Sequence, residues 1–317
     1  MLKNIVFYLL VVSIWGSTWL GIKFQLGRVD PMVSVVYRFV LASLLLVAYC
    51  RIRRLPMRFG LRDHGFMALQ GACLFSLNYW MFYMAELHLT SGIVSVTFST
   101  IVLFNILNGA VFLGSPIRPG VVVGALVGIV GIGLVFWPEL SVFSLADTGF
   151  AGLLLCVGAT LLASFGNILS ARHQQHRLPV VQTNAFGMAY GALLMAVVAL
   201  LTGRGFDFDP GAGYVASLVY LAVFGSIVAF GCYLTLIGRI GADRAAYATL
   251  IFPIIALLLS TLFEGYRWPA TAMAGVVLVL VGNAMALVKP AHLSAIRGRL
   301  GRQAGSPVST RATDGRS

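Results

Sequence analysis

Charge is what this chain has least of. Asp, Glu, Lys and Arg make up only 10% of its 317 residues, whereas a soluble domain carries about 25%. So little charge cannot cover a water-facing surface, which excludes a soluble globular fold. Acidic residues are scarcer still, 10 against 22 basic ones. The resulting net charge of +12 does not point to nucleic acid, because that reading needs basic residues gathered on one folded face. Here they sit in short connections and in a tail. Four cysteines occur, Cys50, Cys73, Cys156 and Cys232, all in or at the end of apolar runs and without a C-x-x-C. They read as reduced packing residues rather than disulfides or metal ligands. Catalytic motifs are missing as well. The five histidines form no H-E-x-x-H, and neither G-x-S-x-G nor the phosphate-binding G-x-x-x-x-G-K-[ST] is present. ATP hydrolysis is therefore not encoded, and no cofactor or metal is expected. His173 and His176, beside Arg172 and Arg177, read as part of a solvated loop.

What the chain has in abundance is apolar residues, 59% of the total, with a mean hydropathy of +0.92. About 20 apolar residues span a bilayer core, and ten segments meet that standard: 5–26, 32–50, 64–86, 93–113, 120–137, 149–170, 180–202, 213–235, 245–263 and 269–288. Each must be a helix, since unsatisfied backbone groups are too costly in lipid. The expected fold is an all-α integral membrane protein of ten transmembrane helices. The first segment is longer than the apolar region of a signal peptide and lacks a small-x-small cleavage site, so it counts as a span.

Basic residues set the orientation. With the N-terminus inside, 17 of the 22 fall in inner segments, from Lys3 and the Arg51–Arg62 group to the tail. Only Arg28, Arg204 and Arg267 fall outside, in accord with the positive-inside rule. Both termini are then cytoplasmic, and an inner (cell) membrane location follows. The tail, 290–317, is rich in Arg, Gly and Ser without apolar period. It is expected to be disordered and to lie near anionic headgroups.

A sparse internal repeat organises the rest. The stretch Ser91–Trp137 returns about 150 positions later as Gly241–Leu287: Ile101 meets Ile251, Leu107 meets Leu257, Pro119 meets Pro269 and Val127 meets Val277. Tyr83 meets Tyr233, and the glycine pair Gly124 and Gly131 recurs as Gly275 and Gly282. This divides the chain into a first five-helix repeat, 1–137, and a second, 138–289. Five is odd, so the second half must be inverted in the membrane, a recurrent transporter design.

Several stretches carry a family resemblance: WGSTWLGIK at Trp15–Lys23, LTSGIVSVTFS at Leu89–Ser99, the G-x6-G spans after Pro119 and Pro269, and GADRAAYATLIFPIIALLLSTLFEG at Gly241–Gly265. With two five-span halves, the chain resembles the EamA-type ten-helix members of the drug/metabolite transporter superfamily over residues 5–288. That resemblance implies export or exchange of small metabolites, often amino acids or related compounds. It also implies a cavity lined by spans one, three, four, six, eight and nine, with five and ten at the periphery. In one respect the chain departs from the family: the proline and terminal Gly-Glu common in span four are replaced by Val102–Leu103 and Gly114–Ser115–Pro116, whereas span nine keeps Pro253 and Glu264.

Candidate site residues follow from the cost of polar groups in lipid. Lys23 can snorkel to the outer interface or serve the cavity. Arg38 lies about 10 Å inside span two, where it either pairs with a carboxylate or helix-end carbonyls or binds an anion. Glu86 either pairs with Lys23 or Arg38 or couples transport to a proton. Trp15, Thr18 and Trp19 share one helical face. With Asn78, Tyr79, Tyr83, Asn105, Asn167, Tyr233 and Tyr247 they are cavity candidates, the alternative being lipid-belt aromatics and interhelical amides. Gly120, Gly124 and Gly128 form a small-residue packing face, within one chain or between two, so monomer and homodimer both stand. Pro253 breaks span nine and supplies a hinge. The functional expectation is a secondary transporter using alternating access, with a small-molecule substrate, the lipid bilayer and a proton or counter-solute as partners. An intramembrane lipid-modifying enzyme and a non-transporting sensor or assembly partner are the alternatives.

Overall fold

The computed structural model describes residues 2–114, 117, 119–135, 137, 148–240, 245 and 248–287. Among these residues every regular element is helical, and the helices string into ten rods. They are α1 (Leu2–Lys23), α2 (Pro31–Ile52), α3 (61–86), α4 (Ser91–Leu113), α5 (Pro119–Val135), α6 (Thr148–Gln175), α7 (Val180–Leu201), α8 (212–240), α9 (Ala248–Phe263) and α10 (Ala270–Leu287). Six of them, α1, α2, α4, α6, α7 and α8, contain runs long and apolar enough to cross a membrane. Apolar runs in α5, α9 and α10 are shorter, and α3 opens on the polar turn of Arg62 and Asp63. The large exposed side chains are aliphatic or aromatic along whole faces, for example Leu44 on α2, Val111 and Phe112 on α4, Leu126 and Ile129 on α5, and Leu193 and Leu200 on α7. Such faces suit hydrocarbon and not water. This is an all-α, multi-pass integral membrane protein.

Helix starts obey local chemistry. Asp30 accepts from the Met32 N–H at 2.8 Å while Pro31 opens α2 with its fixed φ. Asp30 also pairs with Arg204 at 3.3 Å, and Arg28 reaches Asp209 at 4.0 Å. Two of the three basic residues assigned outside are thus paired with acids at the same end of the protein.

Four rods are irregular. α3 contains a π-helical turn, Cys73–Leu77, and α8 a longer one, Leu221–Val228. α9 carries Pro253 in its interior. α4 is interrupted at Thr100 although it has no proline. Here side chains take over the carbonyls: Thr97 donates to Ile93 O at 3.1 Å, Ser99 to Val96 O at 2.6 Å and Thr100 to Thr97 O at 2.7 Å. Back-bonding of this kind bends helices. Asn283 of α10 then donates to Ser99 O and Ser99 Oγ, each at 3.0 Å.

The packing has a regular plan. α5 lies on α10, α2 on α7, and α4 on α9. α1 touches α8 and α9 as α6 touches α3 and α4, and α2 touches α8 as α7 touches α3. Adding five to each helix number, and returning to one after ten, carries each of these contacts onto another. Residues 1–287 form one compact unit, so the two halves interleave instead of standing apart. The α5–α10 seam is backbone on backbone: a Cβ added to Gly282 would meet Gly124 O at 2.5 Å, and one added to Gly275 would meet Gly131 O at 2.6 Å. Gly120 faces Met285 O, and Gly128 also borders Gly282. This is close small-residue approach, and it lies within one chain.

His173 departs from expectation. α6 continues through Gln175, so His173 is helical and fully buried, with no hydrogen bond at either ring nitrogen, rather than in a solvated loop. The periodicity of the apolar run ended at 170, but buried polar residues Asn167 and Ser170 extend the inward face.

Candidate functional site

A cavity sits among α1, α2, α3, α4, α6, α8 and α9. Eight of the sequence candidates line it: Trp15, Thr18, Trp19, Arg38, Asn78, Tyr79, Asn167 and Tyr233. Their convergence follows from the helix pattern. Trp15, Thr18 and Trp19 lie one turn apart on α1, and all three are buried. Trp15 packs against Tyr233 at 4.8 Å and Phe230 at 5.2 Å, while Trp19 packs against Phe82 at 5.1 Å and Phe98 at 5.3 Å. The walls are therefore aromatic, and polar groups are few.

Those few polar groups are placed by the irregular turns. The π-helical turn of α8 exposes the Gly225 carbonyl, which accepts from Trp15 Nε1 at 3.3 Å. In the same turn Ser226 donates to Leu221 O at 2.9 Å and accepts from Arg38 Nε at 3.0 Å. Such π segments are frequent at functional sites. The Arg38 guanidinium lies 4.4 Å from the Tyr79 ring centroid and 5.3 Å from that of Phe39. Its side chain is 1% exposed, its Nη1 has no acceptor, and among the described residues no carboxylate pairs with it. Asn78 Oδ1 and Trp19 Nε1 likewise have no partner. Buried polar atoms of this kind are costly. Among the described residues, Arg38 Nη1, Asn78 Oδ1 and Trp19 Nε1, each without a hydrogen-bond partner, line a single chamber.

Of the other three candidates, two fall outside the lining. Tyr83 is buried but donates to Gln25 Oε1. Asn105 accepts from Asn167 Nδ2 at 3.4 Å and so ties α4 to α6. Tyr247, like the tail at 290–317, lies outside the described residues. Pro253, in α9, has no N–H for the carbonyl one turn back at Thr249, and Thr249 lines the cavity. Phe82, Phe98, Phe230, Thr249 and Ser226 were not singled out from the sequence. A phenylalanine in a membrane helix carries no signal of which way it faces, and Ser226 matters only because of the π-helical turn.

The ion pairs of Glu86 are a correction. Lys23 instead pairs with Glu264 at 3.6 Å. It also donates to the carbonyls of Glu86 and of Leu89, the latter at 2.7 Å. Among the described residues, neither carboxyl oxygen of Glu86 has a hydrogen-bond partner. Glu264 further accepts from the Ser91 N–H at 3.1 Å and from the Ser91 hydroxyl. One carboxylate thus joins α1, the start of α4 and the end of α9.

The cavity volume is about 30 Å³, room for about two water molecules. Sites that hold a small organic ligand usually measure roughly 300–1,000 Å³. The cavity is narrow in this conformation. Among the described residues no cluster of His, Cys, Asp and Glu could hold a metal ion.

The family model of the EamA-like transporter family matches the chain twice, over residues 2–137 and 150–288. The chain belongs to that family. It is a family of transporters, not of enzymes, and the lipid-modifying alternative falls with that. A relative from Escherichia coli K12, named an uncharacterized inner membrane transporter, YedA, is 28% identical over 288 residues, covering 87% of this chain and 90% of the relative. Another from the same organism, named a probable amino-acid metabolite efflux pump, is 25% identical over 291 residues, covering 88% and 93%. A Salmonella typhimurium relative of the same name is 24% identical over 281 residues, covering 86% and 91%. A solved crystal structure at 18% identity superposes with a TM-score of 0.66, covering 96% of this chain and 99% of its own, and supports the fold.

Proposed function

We propose that this chain is a secondary transporter that exports or exchanges a small organic metabolite of the amino-acid class across the inner membrane. The observation that carries this reading is the buried Arg38 Nη1, without an acceptor among the described residues, in a chamber walled mainly by aromatic and aliphatic side chains. A carboxylate answers a lone guanidinium best, because charge-assisted hydrogen bonds are roughly twice as strong as neutral ones. The rings suit an apolar body. Two relatives named for amino-acid metabolite efflux agree with that chemistry.

The mechanism we infer is alternating access between two inverted halves, 1–137 and 138–289, with both termini cytoplasmic. The double family match and the exchange of helix contacts support a duplication. Without an ATP site, flux is driven by an ion or solute gradient. The glycine seam is used between α5 and α10 of one chain, which favours a single chain as the working unit.

The deciding experiment is flux in proteoliposomes across a panel of amino acids and their metabolites, with Arg38→Gln as control. Saturable movement of at least one carboxylate solute, lost in the variant, is the expected result. No flux of any solute in either direction by folded protein refutes the proposal.

A further inference from the structure

Lys23, Glu264 and Glu86 form a group that binding in the cavity does not use. Lys23 is the one ammonium among them. Its contacts are Glu264 Oε1 at 3.6 Å, the Leu89 carbonyl at 2.7 Å and the Glu86 carbonyl. The carbonyls belong to the C-terminal end of α3 and the loop after it, where unsatisfied acceptors draw cations. Glu264 meanwhile holds the N-terminus of α4 through the N–H and hydroxyl of Ser91. Together these contacts latch α1, α3, α4 and α9 at one end of the protein. By the distribution of basic residues that end is the outer one.

Glu86 stands directly at this latch. Its own carbonyl holds Lys23, yet its carboxyl is 1% exposed and, among the described residues, accepts no hydrogen bond. The charged and titratable groups around it are Lys23 on α1, Arg38 on α2, Tyr83 on its own helix, Cys156 on α6 and Glu264 past α9. A buried carboxyl without a donor is tolerated with its proton and becomes a strong claimant for a cation without it. Of the two cations near it, Arg38 is fixed by Ser226 and the Tyr79 ring. Lys23 is the one with an unbranched, flexible stem and a partly exposed head.

We propose that Glu86 and Glu264 compete for Lys23, and that a proton bound or released at Glu86 decides the winner, which couples closure of the outer latch to proton movement. With the proton on a Glu86 carboxyl oxygen, Lys23 stays on Glu264 and the latch is shut, as in this structure. Loss of that proton leaves an anion that draws Lys23 off Glu264. The bridge from α1 to the end of α9 opens. A proton from the outer solution then returns to the Glu86 oxygen, Lys23 goes back, and the cavity closes outside. Release of the proton toward the inner side completes a cycle in which one proton enters as solute leaves. The inward direction rests on the exporter reading above, whereas the competition itself does not.

The test needs no solute, so it stands or falls separately from the flux experiment. Spin labels are placed at the exposed positions Phe24 and Leu262 of the full chain, with Cys50, Cys73, Cys156 and Cys232 replaced by Ala, in nanodiscs. Distances are then measured by pulsed electron resonance from acid to alkaline pH. The short distance should dominate at low pH and give way to a longer one as pH rises. Glu86→Gln, which mimics the protonated acid, should hold the short distance throughout. Lys23→Met, which removes the contested cation, should abolish the pH response, and a monodisperse elution profile establishes that each variant is folded. A wild-type distance that never changes with pH, or a Glu86→Gln variant that titrates like wild type, overturns the proposal.

Discussion

Replacing Arg38 tests the cavity chemistry most directly. Arg38→Gln removes the charge but leaves a polar side chain near Ser226, and Arg38→Lys keeps the charge but loses the planar fork. In the structure Nε is already committed to Ser226 and the ring contacts hold the guanidinium plane. A bound carboxylate therefore gains chiefly from Nη1. A hydrogen bond to a charged group contributes about 1.5–3 kcal/mol, so Arg38→Gln should weaken binding by roughly 10- to 150-fold. Arg38→Lys should recover only part of that, because an ammonium on a flexible stem cannot keep the Ser226 bond and also present a fixed donor. The assay is solute-induced thermal stabilisation of the purified protein, titrated with each solute that shows flux. An amide analogue of the same solute provides the contrast, since it should bind wild type and Arg38→Gln almost equally. If Arg38→Gln binds the carboxylate as tightly as wild type, Arg38 is a packing residue and the substrate argument fails.

Three further perturbations address the scaffold. Gly275→Val drives a Cβ to within 2.6 Å of both Gly131 O and Val135 N, and since overpacking costs about 1–3 kcal/mol, the thermal midpoint should fall. An unchanged midpoint refutes the seam. Pro253→Ala restores a donor for the carbonyl one turn back and should leave folding intact while slowing flux, read as initial rates in proteoliposomes. An unchanged rate would mean that α9 does not flex there. Glu264→Gln weakens the bonds to Ser91 and the pair with Lys23; at about 1 kcal/mol for a helix-start acceptor, a modest loss of thermal stability is expected, and labelling of a cysteine placed at Ser91 should become faster. Unchanged labelling would remove Glu264 from the closure.

Much of this architecture was legible in the sequence, and the limits have physical causes. Helix positions followed from long apolar runs, because lipid leaves the backbone no other option. The i, i+3, i+4 spacing of Trp15, Thr18 and Trp19 correctly placed all three on one face, since a helix fixes that geometry locally. The π-helical turns of α3 and α8 were not legible. They insert one residue per turn into an apolar run whose composition is unaltered, so the face presented by Ser226 and Phe230 shifts without a sequence mark. The pairing of Lys23 with Glu264 was not legible for another reason. Glu86 and Glu264 are equivalent as sequence, and the choice between them depends on where the ninth helix ends relative to the first. His173 shows the converse limit: a basic, polar stretch reads as a loop, but buried polar side chains continue the helix and its inward face.

The irregular helices also say how a cavity of about 30 Å³ can admit a metabolite. All four interrupted rods, α3, α4, α8 and α9, contribute cavity residues: Asn78 and Tyr79 on α3, Phe98 and Ile101 on α4, Phe230 and Tyr233 on α8, Thr249 on α9. The rods outside the lining, α5, α7 and α10, carry neither a π-helical turn nor an internal proline. α5 and α10 are moreover locked backbone to backbone through glycine. Close-packed cores do not stretch continuously; they switch between discrete arrangements. Space must therefore open where helical hydrogen bonding is already broken, and the breaks at Cys73–Leu77, Thr100, Leu221–Val228 and Pro253 sit in or beside the lining. The breaks also pair off by the same step of five helices that relates the packing, α3 with α8 and α4 with α9. In the alternating-access mechanism we propose, one set of bends would open each end. The rigid α5–α10 seam gives both sets a common support.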